Sequence, residues 1–487
     1  IGELMPLILS GNVATALGGG YEVANSCRFN DGDSPYMYKD LGTSTAGSGN
    51  KFTFSVWVKR GALGSDQYLF SGGVAASSHN VDLCFKDDDT LRYRLIYNNT
   101  TYGLLRTNAK FRDPGAWMHI VINMDTTQGT AADRTSMYVN GTKVTSFSTS
   151  DRPNQNSTFT VNNNTVNGQR KSIGRNEDSS GDHFDGYMAE VVWIDGSTLA
   201  ASSFGEFNED SPNIWQPVDV SGLTFGTHGF YLDFEASDNL GNDANGGTDL
   251  TESGLAATDQ TTDTCTNNFC TINPLDNQIA SSTFSEGNCK VVTSGGNDTY
   301  NTSTFWLSAG KWYWEIKVGT SSSNDLIGIA SSQTNSTSLH LGENTFGYGY
   351  RNGGAGDVRY NNSAVSGWSG TDYGNGDIIM VALDLTNSKL YFGVDGTWDN
   401  SGDPTSGSTG TGAVSIVAVG STPNGVYSPA AGDWHNSNSF TYEANFGNPP
   451  YANSSSAADA NGYGAFEYAP PSGYLALCTK NLGSDGG

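Results

Sequence analysis

The sequence predicts an all-β protein made of two antiparallel β-sandwiches of the jelly-roll type. Short runs of alternating apolar and polar residues recur along the chain and end at Gly, Asn or Asp turns, a pattern typical of antiparallel strands. Aromatic residues make up 11% of the 487 residues, which excludes a disordered chain. We find no long segment with the apolar spacing of an amphipathic helix.

The first 200 residues contain a series of strand and hairpin patterns. The alternation in Phe52–Lys59 predicts a strand with one buried face. Asn140-Gly141 predicts a type I′ hairpin turn, because both central residues of that turn take positive φ angles. The segments are Ser26–Tyr36, Phe52–Lys59, Tyr68–Gly73, Trp117–Asp125, Ser136–Val144 and Phe184–Gly196.

A second series of strand patterns follows residue 300. Two apolar runs, Ile378–Leu385 and Leu390–Val394, flank the turn residues Thr386–Ser388 and predict a hairpin. Asp395-Gly396 marks the next turn. The other segments are Lys311–Val318, Gly328–Ala330, Phe346–Tyr350 and Thr441–Phe446.

A chain of 487 residues is too long for one ordinary core, so more than one domain is expected. Residues 238–263 are rich in Gly, Asn, Thr and Asp, which indicates a connector rather than a third core. We therefore predict an N-terminal arm (1–20), a first sandwich (21–204), a connector with short strands (205–275), a second sandwich (276–482) and a tail (483–487).

The charge of the chain argues against two classes of partner. Fifty acidic residues outweigh 24 basic ones, a net charge of −26, and no Lys/Arg cluster offers a phosphate-binding surface. Nucleic acid is therefore not expected as a partner. No apolar run reaches the roughly 20 residues that span a bilayer, so no membrane insertion is expected. The first nine residues lack the basic region of a signal peptide.

Six cysteines are too few for a disulfide scaffold. Cys265 and Cys270 are close enough in sequence to pair around a short loop. The alternative, which we favour, is that the cysteines are free buried thiols.

Two halves of the chain resemble known domains. The ordered motifs Phe54–Val58, Trp117–Val121, Tyr138–Gly141 and Phe184–Val191 are similar to those of laminin-G-like, concanavalin A-like sandwiches. The segments between 311 and 396 resemble a SPRY domain. That resemblance implies a β-sandwich that binds partners through its loops and is not usually an enzyme.

Four short motifs suggest a wider resemblance, to structural proteins of tailed bacteriophages, especially phages of marine bacteria. They are Val58–Gly61, Phe111–Pro114, Cys270–Leu275 and Pro470–Tyr474. This resemblance implies a non-enzymatic tail-fibre or decoration protein, located on the virion, that attaches to host-surface glycans. It also implies other virion proteins as partners and a homo-oligomer, with a trimer as the commonest fibre state.

Two alternatives stay open. One is a secreted bacterial carbohydrate-binding or glycan-degrading protein, and the other is a purely structural capsid ornament. Glycoside hydrolases of the concanavalin type need two closely spaced carboxylates. The nearest pair, in Asp233-Phe234-Glu235, is expected outside both cores as a solvated edge, so no enzyme is predicted.

The laminin-G-like resemblance implies Ca²⁺ at a rim of the sandwich as a possible cofactor, held by carboxylate oxygens. The candidate ligands are Asp31, Asp33, Asp185 and Asp195. Ordinary Asp-Gly turn chemistry explains the same residues without a metal. The run Asp87–Asp89 is better explained as a solvated turn than as a metal cluster.

Aromatic residues in loops of the SPRY-like half are the predicted ligand surface, because sugar sites combine aromatic platforms with polar partners. The aromatic candidates are Trp368, Tyr373, Trp398 and Trp434, and the hydrogen-bonding candidates are Asp372, Asp399 and Asp433. Alternatively, these rings fold over the end of the sandwich. The strand residues Trp57, Trp117, Trp193, Trp312 and Trp314 are expected in the cores.

Overall fold

The computed structural model describes residues 20–42, 47–73, 80–162, 169–209, 211–321, 323–353, 356–434 and 439–484. The predicted arm (1–20) and tail (483–487) lie almost wholly outside these residues. The chain divides into two compact units, and the division falls between Thr266 and Asn267. We call them the N-terminal and C-terminal units.

The all-β prediction is confirmed. Within the described residues the only α-helix is α1 (Thr479–Ser484). Short 3-10 helices form single turns between strands: Asp31–Asp33, Ala131–Asp133, Ala201–Ser203, Ala257–Asp259, Asp399–Ser401, Pro404–Thr409 and Val419–Ser421. None of the described helices is both long and apolar enough to cross a membrane.

The described residues of the N-terminal unit form eighteen strands. In chain order they are β1 (Ser26–Phe29), β2 (Tyr36–Asp40), β3 (Lys51–Arg60), β4 (Gln67–Gly73), β5 (Asn80–Phe85), β6 (Thr90–Tyr97), β7 (Thr100–Lys110), β8 (Met118–Asp125), β9 (Thr135–Val139), β10 (Thr142–Lys143), β11 (Phe147–Asp151), β12 (Arg170–Ile173), β13 (Gly186–Asp195), β14 (Gly205–Phe207), β15 (Trp215–Pro217), β16 (Phe230–Leu232), β17 (Thr251–Ser253) and β18 (Gln260–Thr261).

Two antiparallel sheets make this unit a sandwich. The first has the order β10-β9-β8-β3-β13-β1-β18, with β16 paired to β13, and the second has the order β11-β7-β6-β5-β4-β12-β2-β17. Rings from both sheets meet in the core, where Phe54 lies 4.5 Å from Phe70 between centroids and Phe70 lies 5.1 Å from Trp193. The predicted Asn140-Gly141 turn joins β9 to β10 with φ angles of 46° and 73°.

The first sheet is apolar on both faces. Phe52, Phe54, Val56 and Val58 face the sandwich core, whereas Trp57 belongs to a second cluster on the other face of β3. We call that face the outer face of the first sheet. Because a strand presents alternate side chains to opposite faces, this sheet needs cover on both sides.

Residues predicted to be connector provide much of that cover. Trp215, Phe225 and Tyr231 pack on the outer face, and β16, β17 and β18 pair with β13, β2 and β1. Most of the stretch 205–275 is therefore part of the N-terminal unit rather than a link. Its strands are two or three residues long, too short to show a period-two pattern in the sequence.

The part of the C-terminal unit that the structure describes contains fourteen strands. They are β19 (Thr283–Ser285), β20 (Lys290–Val292), β21 (Thr299–Thr302), β22 (Lys311–Thr320), β23 (Asp325–Ala330), β24 (Gly347–Arg351), β25 (Asp357–Tyr360), β26 (Ser363–Ala364), β27 (Ile378–Asp384), β28 (Lys389–Val394), β29 (Thr397–Trp398), β30 (Val414–Ser415), β31 (Ser428–Asp433) and β32 (Thr441–Asn445).

These strands again form two antiparallel sheets. Their orders are β19-β20-β32-β22-β27-β28-β29, with β30 beside β28, and β21-β31-β23-β24-β25-β26. The predicted hairpin is confirmed as β27 and β28. Asp384 holds its turn, accepting hydrogen bonds from the backbone N–H of Asn387 at 2.9 Å and from its side-chain amide at 2.7 Å.

The C-terminal segment covers the far face of the β22–β27 sheet. Phe466, Tyr474 and Cys478 pack there against Tyr313 and other strand residues. Beneath this layer the buried carboxylate of Glu315 accepts hydrogen bonds from the Tyr313 hydroxyl (2.9 Å), the Asn445 amide (3.0 Å) and the backbone N–H groups of Glu467 (3.0 Å) and Tyr468 (2.8 Å). This one side chain ties the covering segment to the sheet.

All six cysteines are buried thiols outside any disulfide, as we favoured. Cys265 belongs to the outer-face cluster of the N-terminal unit, whereas Cys270 belongs to the main core of the C-terminal unit. The two sulfurs are therefore packed into different cores despite their proximity in sequence.

A buried ion pair lies under the outer-face cover of the N-terminal unit. Lys59 Nζ lies 2.7 Å from Asp263 Oδ2, and both side chains are at most 1% exposed. Trp117 Nε1 donates to the other oxygen of Asp263 at 2.9 Å.

We expect Asp263→Ala to lower the free energy of unfolding by about 3–5 kcal/mol, because it leaves a buried ammonium without its counter-charge. Urea denaturation followed by tryptophan fluorescence measures this. The control, Asp133→Ala, removes an ion pair with Lys143 in which both side chains are about half exposed, and should cost less than about 1 kcal/mol. Equal effects of the two variants would contradict the assignment.

Candidate ligand site in the N-terminal unit

Two of the predicted loop aromatics are core residues. Trp368 is 7% exposed and Tyr373 is 4% exposed, and both pack in the main cluster of the C-terminal unit. Their rings meet the ring of Tyr350 at centroid distances of 5.4 and 5.2 Å. The prediction that they are exposed is therefore wrong, and the alternative, rings folded into the end of the sandwich, describes them.

Polar atoms of these two side chains are bonded within the protein. Trp368 Nε1 donates to the carbonyl oxygen of Gly412 at 3.0 Å. The Tyr373 hydroxyl lies within hydrogen-bond distance of two carbonyl oxygens, Asp325 O at 2.8 Å and Tyr350 O at 3.1 Å. The two side chains thus hold loops onto the sandwich.

The other two aromatic candidates are half-buried, and both pack against neighbouring side chains. Trp398 is the last residue of β29 and packs beside Tyr313 and Tyr391. Trp434 stacks on His340 with centroids 4.2 Å apart, and the guanidinium of Arg359 lies 5.0 Å from its ring.

Only one of the three aspartate candidates is exposed. Asp372 is exposed and accepts a hydrogen bond from the backbone N–H of Gly353. Asp399 is buried and accepts from the Tyr350 hydroxyl at 2.8 Å and from Thr371 N at 2.9 Å. Asp433 is fully buried in β31 and bonds Thr293. The predicted set does not form one ligand surface.

The four predicted calcium ligands do not converge either. Asp31 and Asp33 lie on an exposed 3-10 turn, and Asp185 lies at the same end of the first sheet, because Phe29 pairs with Gly186. Asp195 ends the ten-residue β13, about 30 Å further along the strand at its usual rise. Its carboxylate is held by the backbone N–H groups of Ser48 and His228.

The remaining acidic candidates have structural partners. The turn Asp87–Asp89 is solvated at Asp87 and partly at Asp88, whereas Asp89 is 5% exposed and binds Arg60 Nη1 at 3.1 Å and Arg112 Nε at 2.8 Å. Asp233 and Glu235 flank Phe234, which is buried in the N-terminal core. Among the described residues no group of three or more His, Cys, Asp or Glu side chains is placed to hold a metal ion.

An aromatic cavity lies instead on the outer face of the first sheet, and we call it the aromatic pocket. Its volume is about 170 Å³, comparable to a cavity of about 150 Å³ that binds benzene. Three tryptophans, one phenylalanine and two asparagines supply most of its lining: Trp57, Trp117, Trp215, Phe207, Asn140 and Asn213. The β14–β15 hairpin brings Phe207 and Trp215 over the sheet, with ring centroids 5.0 Å apart.

Two glycines make room for the Trp215 ring. A Cβ on Gly141 would lie 2.3 Å from Cζ3 of Trp215, and a Cβ on Gly205 would lie 2.6 Å from Cε2. Gly141 also has a φ of 73°, which side chains disfavour. The indole therefore occupies a slot between the β9–β10 turn and the first strand of the hairpin.

Beneath the pocket His119 has a fixed tautomer. Trp215 Nε1 can only donate, so His119 Nδ1, 3.0 Å away, is an acceptor without a proton. His119 Nε2 then carries the proton and donates to Ser55 Oγ at 2.8 Å. Burial lowers the pKa of His119 to about 3, so the ring is neutral at ordinary pH.

The pocket also has polar groups placed for a ligand. Asn140 is fixed by a reciprocal pair of bonds with the His119 backbone, donating N–H to His119 O at 2.9 Å and accepting from His119 N at 2.7 Å. Its side-chain amide NH₂ is then left as a donor. Trp57 is 2% exposed, and its Nε1 is a buried donor without a hydrogen-bond partner among the described residues. Because this nitrogen is shielded from solvent, the Trp57 side chain offers the pocket its ring face rather than its N–H.

Sequence reasoning missed this site because it assigned Trp57 and Trp117 to the core and Phe207 and Trp215 to a connector. The one available signal was the aromatic pair itself, within a stretch otherwise rich in polar residues.

Glu190 is a second unusual group on the same face. It lies in a β-bulge between Ala189 and Val192 of β13, with a φ of 49°. The Tyr231 hydroxyl donates to its Oε2 at 2.8 Å. Burial, reinforced by nearby carboxylates, raises the pKa of Glu190 to about 8.

Comparison with known families decides the domain content. The sequence profile described as "Concanavalin A-like lectin/glucanases superfamily" matches residues 31–202, and the SPRY domain profile matches residues 311–417. The chain carries a concanavalin A-like domain followed by a SPRY domain. The aromatic pocket thus combines strands of the concanavalin A-like domain with the β14–β15 hairpin that follows the matched region. A search of curated proteins found no match.

Solved structures with similar folds have low sequence identity to the chain. The SPRY domain of human HERC1 is 11% identical, with a TM-score of 0.25, and the match covers 37% of this chain and 92% of that one. A pentraxin from Limulus polyphemus is 15% identical (TM-score 0.24; 37% and 80% covered). Domain 4 of an extracellular arabinanase from Geobacillus stearothermophilus, solved with arabinotriose, is 20% identical (TM-score 0.25; 33% and 66% covered).

We expect Trp368→Ala to destabilise the C-terminal unit by about 3–5 kcal/mol, the usual cost of removing a large buried aromatic side chain. Thermal or urea unfolding measures it. Asp372→Ala, which removes an exposed carboxylate from a nearby loop, is the control and should change stability by less than about 1 kcal/mol. A Trp368→Ala protein of unchanged stability would show that the ring is not a core residue.

Glu190 should make the protein less stable as the pH rises. Its pKa in the folded state, about 8, lies above the ordinary glutamate value of 4.5, so between these values the folded state holds a proton that the unfolded state has lost. The free energy of unfolding should therefore fall by about 1 kcal/mol per pH unit through this window and level off above it.

Glu190→Gln should remove this slope, because an amide does not titrate. Urea denaturation of both proteins at a series of pH values is the measurement. A parallel pH dependence in the two proteins would contradict the role of Glu190.

Proposed function

We propose that this chain is a non-enzymatic attachment protein that binds glycans through the aromatic pocket of its concanavalin A-like domain. The observation that carries the proposal is the lining of that pocket: indole and phenyl rings beside the side-chain amides of Asn140 and Asn213. Aromatic rings pack against the C–H faces of sugar rings, and amides bond hydroxyl oxygens.

The hydrogen bonding around His119 supports a role without catalysis. A serine nucleophile needs a histidine nitrogen with a free lone pair to take its proton. His119 instead donates to Ser55, and its other nitrogen is occupied by Trp215. Asp233 and Glu235 lie beyond the end of β16, where Asp233 accepts from the backbone N–H of Glu235 at 3.1 Å. The bonds of His119 and Asp233 within the protein support a binding role.

We further propose that the protein is a virion component of a tailed bacteriophage, either a tail fibre or a capsid or tail decoration. The support is the resemblance carried by the four short motifs, together with the order of the two domains. Other virion proteins are then its partners, and repeated copies would raise weak glycan binding through avidity by about 10²–10⁴. Such a protein is expected to be a homo-oligomer, with a trimer as one state, or to be arrayed on the particle.

Two other functions are separable from this one. A secreted bacterial protein that binds or degrades glycans would use the aromatic pocket but would not be part of a virion. A purely structural ornament would be part of the virion but would bind no glycan.

The purified chain should bind envelope polysaccharide of its host and release no reducing sugar from it, because the pocket offers contacts but no acid–base pair. A pull-down followed by a reducing-sugar assay measures both.

Density for the chain in a map of the phage particle tests the virion role, and light scattering on the isolated chain tests the oligomer. Release of sugar would overturn the non-enzymatic assignment, and binding without a place in any particle would favour the secreted protein.

A further inference from the structure

A second cavity lies on the same outer face as the aromatic pocket. Its volume is about 260 Å³, and we call it the polar groove. Its lining includes Asn123, Asp125, Asp133, Tyr138 and Lys143. Five of its lining residues lie on β8, β9 and β10, and the β9–β10 turn also lines the aromatic pocket.

Strand register places the two cavities one after the other. His119, under the aromatic pocket, is bonded to Asn140, and Asn123, in the polar groove, pairs with Ser136. Four residues of strand separate His119 from Asn123, about 13 Å at the usual rise. Tyr138, which pairs with Val121, lies between these two positions and is half-buried. The distance exceeds the size of a single six-membered ring.

The charges along this face are paired with one another, and the net charge of the whole chain disfavours acidic ligands. The six residues named for the aromatic pocket carry no ionisable group. In the polar groove, two carboxylates, Asp125 and Asp133, face one ammonium, Lys143, which lies 3.7 Å from Asp133. Asp125 is already bonded by Thr127 and Gln128 and lies 3.2 Å from Lys51. With a chain charge of −26, the field repels a polyanion.

We propose that the aromatic pocket and the polar groove are two ends of one cleft that binds a linear, neutral oligosaccharide. One sugar ring occupies the pocket against Trp215 and Phe207, the next crosses Tyr138, and the far end bonds the side chains of the polar groove. This inference deepens the proposed function, on which it rests, by naming the ligand class and the surface.

If both ends of the cleft bind sugar, the affinity depends on the length of the oligosaccharide. Affinity should rise from a monosaccharide to a trisaccharide of the same neutral series and then level off, because the cleft is then filled. It should be lower by at least about tenfold for an oligogalacturonate of equal length. Affinity for the monosaccharide should be constant between pH 5 and pH 9, because no group in the pocket titrates there.

We would measure binding of neutral gluco-, manno-, galacto- and N-acetylglucosamine oligomers, from monomer to hexamer, to the full chain by calorimetry. Trp215→Ala should weaken binding of every length by at least about tenfold, as for an aromatic anchor. Phe207→Ala is a second variant that should still fold, because its ring is already 46% exposed. Tyr138→Ala should weaken binding of the trimer but not of the monomer. The matched control is Trp434→Ala in the C-terminal unit, which should bind like the unchanged protein.

The outcomes separate this inference from the proposed function. If a neutral glycan binds and only Trp434→Ala abolishes it, glycan attachment stands but the cleft is wrong. If the monomer and the trimer bind equally and Tyr138→Ala has no effect, the pocket acts alone and the two-ended cleft is overturned. If oligogalacturonate binds as tightly as the neutral trimer, the charge selection is overturned. If no glycan binds at all, the proposed glycan function itself fails.

Discussion

A sheet that is apolar on both faces is the constraint on which the rest of each unit depends. In the N-terminal unit the two faces of β3 carry Phe54 and Trp57, and each belongs to a different buried cluster. In the C-terminal unit Trp314 and Tyr313 divide β22 in the same way. Two packed sheets bury only one face of each sheet, so a third layer must come from segments with little regular structure. Burying that face removes apolar area from water at about 25 cal/mol per Å², and this gain offsets the entropy lost in ordering the loops.

The third layer also removes water from the polar side chains on the covered face. These side chains are stabilised in different ways. Lys59 and Asp263 neutralise each other as an ion pair, whereas His119 is held neutral between a donor and an acceptor. Glu315 is surrounded by four donors and Glu190 has one strong donor, and burial raises the pKa of both carboxyl groups. Buried polar groups of this kind are costly unless they are satisfied, so they fix how the covering segment seats on its sheet.

The sequence was sufficient to predict what depends on local pattern. Period-two alternation located the long strands, and turn chemistry located the hairpins at Asn140-Gly141 and Thr386–Ser388. It was not sufficient where burial depends on distant packing. Trp368 and Tyr373 are surrounded by Gly, Ser and Asp in sequence, yet Tyr350, more than fifteen residues away, receives both rings. The aromatic pocket could not be predicted from the sequence either, because its walls come from three separate places: β3, the β9–β10 turn and a hairpin of three-residue strands.

The slot that holds Trp215 has a consequence for how this surface can change during evolution. The sheet contributes the floor of the pocket, including Trp57, whereas the hairpin contributes Phe207, Asn213 and Trp215. Trp215 docks the hairpin on the sheet through its close approach to Gly141 and its hydrogen bond to His119. The residues between the two hairpin strands can therefore vary in number and chemistry without touching the sandwich core. The ligand preference of this face can therefore change with the hairpin loop, while the two sheets that carry the hairpin stay the same.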